Sequence, residues 1–304
     1  MAIFVKRILY LLWPVVICVS MPAYGLLITA PTTNWTVISY SGSYPDFFSD
    51  QQTGDKESDL VGNQRNPSFY TAFDGAGTLS LTDGTLFFRA RLAAQKNPPG
   101  YSQCLFVGLD ANLDGVLDLF LGVDNQGSHN QLGIWNPGSG ANTSPNTTSI
   151  NNPALKTYAE TTNNYSWTQV NAIIDPLASS FDVDGGGDTD YFLSFSIPFA
   201  DVVAYMVTNS SFCETSAVQY VMATATQPNS LNQDLNGVSN GVNSASTWSQ
   251  LGGLSVTYTA SGQVIPEPYV LFLALFGLLP VYLMYLLRRS RNRSPTFRLT
   301  VRDR

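Results

Sequence analysis

The stretch Asp110-Ala111-Asn112-Leu113-Asp114-Gly115-Val116-Leu117-Asp118 places side-chain oxygens at its first, third, fifth and ninth positions and a glycine at its sixth. Alternating oxygens of this kind can converge on a hard cation that takes six to eight of them, and glycine permits the sharp turn this requires. Asp, Asn and Gly are equally the residues of tight turns. The nine residues therefore read either as a calcium site, with Asp110, Asn112, Asp114 and Asp118 as ligands, or as a turn with no ion. A second run, Asp182-Val183-Asp184-Gly185-Gly186-Gly187-Asp188-Thr189-Asp190, crowds four carboxylates into nine residues. A divalent cation would relieve their repulsion, yet exposed charges are screened over roughly 8 Å at physiological salt, so a solvated acidic loop also satisfies the pattern. Asp234, within Leu231 to Gly237, is a third and weaker candidate that reads as a turn.

Other chemistry has little to work with. His129 is the single histidine of the chain, in Gly127-Ser128-His129-Asn130, which reads as an exposed turn. Histidine-rich zinc sites are thereby excluded, and a Ser-His-Asp triad would need His129 with no serine in a Gly-x-Ser-x-Gly setting. Two carboxylates would suffice for a glycosidase, but most acids here lie in Asp/Asn/Gly turns, and only Glu57, Glu160 and Glu214 are glutamates between residues 26 and 265. No enzyme is expected. Outside the N-terminal segment the cysteines are Cys104 and Cys213. In an oxidising compartment two cysteines pair most simply as a disulfide, with two free thiols as the alternative.

The first run resembles the D-x-N-x-D-G-x-x-D calcium loops of dockerin and thrombospondin-type repeats. The match is partial: the twelfth position, a bidentate glutamate in an EF-hand, is Leu121. The flanks alternate like strands, so the resemblance implies a calcium-loaded β-hairpin without helices.

The elements that must carry these turns are short strands. Leu86, Phe88, Ala90 and Leu92 fall on one face of Thr85 to Leu92, with Phe87, Arg89 and Arg91 on the other. Leu105, Val107 and Leu109 alternate, as do Leu117, Leu119, Leu121 and Val123, and then Tyr191, Leu193, Phe195 and Ile197. Trp167 to Ile174, Tyr220 to Thr226 and Ser255 to Thr259 read similarly. Many period-two runs between Gly/Asn/Asp turns predict an all-β, antiparallel β-sandwich, one face of each run apolar and the other polar. One short helix is expected at Phe199 to Met206, started by Pro198. Residues 136 to 153 and 228 to 248 read as exposed, polar insertions.

Both ends speak for export. Lys6 and Arg7, the apolar stretch Ile8 to Val19 and the small-x-small Ala23-Tyr24-Gly25 predict a signal peptide over residues 1–25, or an uncleaved anchor of the same composition. At the far end Pro266-Glu267-Pro268 precedes an apolar run, Tyr269 to Leu287, and then Arg288, Arg289, Arg291 and Arg293. Nineteen residues make roughly 28 Å of helix, about one bilayer core, and the arginines hold their end in the cytoplasm. Physics alone gives a single-pass anchor. The predicted organisation is a signal peptide (1–25), a sandwich ectodomain (26–260), a linker with the Pro-Glu-Pro motif (261–268), a transmembrane helix (269–287) and an Arg-rich cytoplasmic tail (288–304).

The order Pro-Glu-Pro, helix, arginine cluster resembles the PEP-CTERM sorting signal of exosortase-processed bacterial surface proteins. The resemblance covers residues 264 to 293 only. It implies an exosortase-type processing enzyme as partner, a transient inner-membrane intermediate, removal of the tail near Pro266, Glu267 and Pro268, and release to the cell surface or extracellular matrix.

Residues 26–265 hold six basic side chains against twenty acidic ones, a formal charge of about −14. Such a surface repels phosphate backbones, so nucleic acid is not an expected partner. Two functions fit: a structural or adhesive surface protein stiffened by calcium and glycosylated at Asn34, Asn142, Asn146, Asn164 or Asn209, or a module that binds extracellular polysaccharide. For the second, Trp135 and Tyr101 are the loop aromatics to contact sugar, and Trp35, Trp167 and Trp248 are expected in the core.

Overall fold

The computed structural model describes residues 28–40, 46, 49–96, 100–239 and 241–265. The expected signal peptide (1–25), Pro266, Glu267 and Pro268, the apolar run, and Arg288, Arg289 and Arg291 lie outside these residues. Among the described residues no helix is long and apolar enough to cross a membrane.

Among the described residues, twelve strands form two antiparallel sheets. The smaller has the order β1 (Thr36–Val37), β2 (Phe69–Asp74), β3 (Thr85–Leu92), β9 (Tyr191–Pro198), β8 (Tyr165–Gln169). The larger runs β11 (Asp234–Leu235), β10 (Ala217–Ala225), β4 (Cys104–Asp110), β5 (Leu119–Asp124), β6 (Gln131–Trp135), β7 (Lys156–Ala159), with β12 (Tyr258–Thr259) also on β10. The alternation read from the sequence sets the common core. Leu86, Phe88 and Ala90 of β3 and Leu193, Phe195 and Ile197 of β9 share one buried cluster with Leu105 and Val107 of β4, Leu119 and Leu121 of β5, and Tyr220 of β10. Phe88 meets Tyr220 edge-on at 5.6 Å between centroids, so side chains of the two sheets interdigitate. The arrangement is all-β and sandwich-like.

The expected helix is α1, Phe199–Tyr205, with Pro198 as its N-cap and Asp201 in its first turn. A second, single-turn helix, α2 (Trp248–Leu251), is closed by a capping box of Thr247 and Gln250.

Three expectations fail here. The outer faces of the sheets are not polar and wet. On the smaller sheet Arg89 and Arg91 are fully buried under Trp35, Val170, Ile174 and Phe192, with the Arg89 guanidinium 4.2 Å from the Trp35 ring. On the larger sheet Phe106, Phe120 and Trp135 are covered by Ile150, Leu231, Val238 and Trp248. Residues 136–153 and 228–248 are thus the lid of a second core, not exposed insertions. Their polar side chains satisfy their own backbone, as where buried Asn142 donates to Gly140 O and accepts from Ser149 N. A buried, hydrogen-bonded Asn142 is a poor glycan acceptor.

The expected disulfide also fails: Cys104 and Cys213 are both free. Each precedes or opens a strand, but β4 and β10 are antiparallel, with Cys104 opposite Ala225. Cys213 lies just before Ala217, at the other end of β10. Eight residues of strand, about 26 Å, separate the two ends, far beyond disulfide reach. Burial and the neighbouring Asp124 push the Cys104 thiol far above its ordinary range, which suits a buried apolar side chain rather than a nucleophile.

Residues 261–265, read as the start of a linker, turn back on the sheet: Tyr258 bridges Val264, and Ile265 N donates to Thr257 O at 3.1 Å.

Candidate functional site

The run Asp110 to Asp118 links β4 to β5, as expected of a hairpin turn. Gly115 sits at φ +83°, a backbone conformation that only glycine adopts without strain. The carboxylates cap the turn. Asp110 accepts from Asp114 N at 3.2 Å and from Gly115 N at 2.8 Å, and Asp118 accepts from Ala111 N at 2.8 Å. Asp114 accepts from Val116 N at 2.9 Å and from the Asn112 side-chain amide at 3.0 Å. Burial raises Asp110 and Asp118 above the usual carboxylate range, opposed by these N–H groups.

Two groups of three carboxylates among the described residues do bring one oxygen each within 4.8 Å of one another, and the Asp110 to Asp118 turn supplies neither. One group is Asp182, Asp184 and Asp190, in the connection between β8 and β9. Asp182 accepts from Gly187 N at 2.9 Å and Asp184 from Gly186 N at 3.1 Å. Burial, and then the Asp182 carboxylate, hold Asp184 above its usual range. Asp188, the fourth carboxylate of the run, is not in the group; it pairs with Lys56 Nζ at 2.7 Å on the surface. Asp190 is fully buried and already has a cation, since Arg91 Nη1 lies 2.9 Å from it while Nη2 holds Asp175. Burial still pushes Asp190 up to about 6 against the pull of Arg91.

The other group is Asp50, Asp59 and Asp234. Asp50 and Asp59 flank a short 3₁₀ turn (Lys56–Ser58), and Asp234 opens β11. Asp234 Oδ2 accepts from Leu60 N at 2.6 Å across 174 positions of sequence, and Asp59 Oδ2 accepts from Ser49 N at 3.0 Å. Asp46, whose Oδ1 accepts from Gly237 N, lies close enough for the charges of Asp234, Asp50 and Asp59 to act on it. Asp234 was legible only as a turn residue. The other three carried no periodic or motif signal, because the partner that gives them meaning is most of the chain away.

A separate cleft of about 310 Å³ is lined by Tyr101, Asn125, Glu160, Tyr165 and Trp167. Trp167 stacks on Tyr191 at 4.9 Å and meets Tyr101 at 5.4 Å. The Glu160 Oε1 and Asn125 Oδ1 atoms have no hydrogen-bond donor, and burial raises Glu160. Trp135 and Tyr101, expected to be loop aromatics free for sugar, are buried at 1% and 4% exposure, Trp135 edge-on to Phe106. Trp35 and Trp248 are core residues as expected. Trp167 is half-buried at the cleft. His129 is exposed, with Nδ1 2.7 Å from Asp124.

Comparison of the chain with family models, with curated proteins and with solved structures gives no match, so the functional argument rests on its own residues.

Proposed function

We propose that this is an exported, non-catalytic surface or matrix protein of structural or adhesive role, sorted through its C-terminal segment by an exosortase-type enzyme. The observation that carries the reading is the order of segments: a basic-then-apolar start, a domain of formal charge about −14, then Pro266-Glu267-Pro268, nineteen apolar residues and the arginines from Arg288. The domain's construction supports a structural role. Three buried clusters among the described residues pack both faces of its sheets, and the free thiol of Cys104 is shut away from chemistry. Calcium at the Asp-rich turns belongs to the proposal. Asp182, Asp184 and Asp190 support it better than Asp110, Asn112, Asp114 and Asp118, because only the former converge.

The test is the fate of the full chain in a host with and without the processing enzyme. The native chain is expected to pass from the membrane fraction to the medium as a shortened form only when the enzyme is present. Replacement of Pro266, Glu267 and Pro268 by Ala should leave it membrane-bound and full length. Equal retention of both chains would reduce the tail to a plain anchor and sink the sorting proposal.

Polysaccharide binding is the second reading, and the cleft at Trp167 favours it. An aromatic face beside one carboxylate oxygen and one amide oxygen that lack donors is the kind of surface that takes a sugar ring. Retention on insoluble polysaccharide should fall for Trp167→Ala and for Glu160→Gln. Retention unchanged in both variants would remove this reading.

A further inference from the structure

Three carboxylates with an oxygen each inside 4.8 Å fit around one ion, since calcium holds oxygens at about 2.3–2.6 Å and ligands on opposite sides stand about twice that apart. We propose that Asp50, Asp59 and Asp234, completed by Asp46, form a calcium site that fastens the segment before β2 to the β11 edge of the larger sheet.

Proximity is the weaker part of the case. Asp59 is fully buried, and its Oδ1 has no hydrogen-bond donor; Asp46 is 3% exposed, and its Oδ2 has none either. Each carboxylate therefore has one oxygen anchored by a backbone N–H, from Ser49 and Gly237 respectively, and one oxygen left over. Leaving such an atom buried and unpaired is unfavourable, the more so when it is charged. Gln51, 8% exposed and next to Asp50, adds an amide oxygen in the same condition.

Charge makes the same point. None of Asp46, Asp59 and Asp234 pairs with a described lysine, arginine or histidine. The protein knows how to bury acids with a cation, for it does so with Arg91 between Asp175 and Asp190. Oxygen-only donors from irregular segments suit calcium, which tolerates uneven geometry. Magnesium demands a near-ideal octahedron and keeps its waters.

The test is calcium binding by the full chain in detergent, followed by equilibrium dialysis and thermal unfolding, with chelator as the reference. The native chain is expected to bind calcium, and Asp83→Asn, which belongs to neither carboxylate group, to leave this site's affinity unchanged. Asp59→Asn or Asp234→Asn should weaken it at least about tenfold. In chelator Asp59→Asn should unfold no lower than the native chain, since it removes one repelling charge; in calcium it should unfold lower. Should the variants fail to fold, amide exchange of the native chain decides: calcium should slow residues 49–60 and 233–236. Affinity unchanged in both single variants, no binding by the native chain, or no added protection in these segments would each overturn the proposal. Failure of tail processing would leave this result untouched.

Discussion

Asp182, Asp184, Asp188 and Asp190 lie in nine consecutive residues, whereas Asp50, Asp59 and Asp234 are gathered from two distant segments. The crowded run is the milder electrostatic problem. Its Asp188 is an exposed partner of Lys56, its Asp190 is paired with Arg91, and glycine N–H groups serve the rest. The scattered set is the harder one: Asp59 and Asp234 are buried, no cation pairs with either, and each draws its hydrogen bonds from a few backbone groups. Density of acidic residues in a sequence measures repulsion in the unfolded chain. The need for an ion is set by what folding takes away, namely water and countercharge.

The sharpest way to break this comparison is Arg91→Leu. If Arg91 is what neutralises the crowded run, its loss strands Asp175 and Asp190 in the interior and should cost about 3–5 kcal/mol in urea unfolding. A cost below about 1 kcal/mol would mean that Asp190 does not depend on Arg91, and the two regions would no longer differ in kind.

Calcium removal comes next. Ligand at about 100 times its dissociation constant adds about 2.7 kcal/mol, or about 5–10 °C in Tm for a domain of this size. That gain should fall by about half or more in Asp234→Asn and by less in Asp184→Asn; the reverse pattern would hand the ion to the crowded run. The chelated chain should also be pH-sensitive. Burial pushes Asp59 up to about 7, helped by the Asp50 and Asp184 charges and opposed by N–H groups of Ser49 and Gln51. A carboxyl that holds its proton more tightly when folded favours the fold at low pH and loses that contribution as pH rises from about 4 through its folded value. Midpoints in chelator are therefore expected to fall between pH 5 and 8, and calcium to flatten the slope. A flat profile without calcium would show that the cluster is already neutralised.

The smallest effect is expected at Lys56→Ala. Lys56 and Asp188 are both more than a third exposed, and such pairs contribute roughly 0–1 kcal/mol. A loss above about 1 kcal/mol would make the crowded run dependent on this contact after all.

Strands that bury one face of an alternating pattern in the central core were legible: β3, β4, β5 and β9 all fall where the period of two placed them. Phe69–Asp74 was not, because Thr71 interrupts the apolar series of Phe69 and Phe73 and the other face mixes Tyr70, Ala72 and Asp74. Trp135 misled because Asn136-Pro137-Gly138 follows it, yet it closes β6 and points beneath the lid formed by residues 136–153 and 228–248. That lid was hidden by its own composition, since Ile150 is one apolar residue among many polar ones whose hydrogen bonds are internal. The cysteine pairing failed on strand direction, which periodicity does not encode. Of the acidic sites, the turns were readable as turns. The Asp50–Asp59–Asp234 group was not, since its members become neighbours only when β11 docks on β10.

Tyr258 gives the fold a mechanical character. Its ring is fully buried, its hydroxyl donates to Val37 O at 3.0 Å and accepts from Ser39 N at 2.8 Å, and β12 pairs with β10 over two residues, extended by Ala260 N to Ser216 O at 2.8 Å and Ser261 N to Glu214 O at 2.9 Å. Tension drawn along the chain beyond Ile265 would meet this plug almost at once, after the short turn at 259–263. Unzipping this short pairing takes little; extracting the ring takes the grip on Val37 and Ser39 with it. Pulled from its C-terminal side, the domain is expected to release both ends of its described chain in a single event, and Tyr258→Phe, which keeps the ring and drops the hydroxyl, should split that event in two.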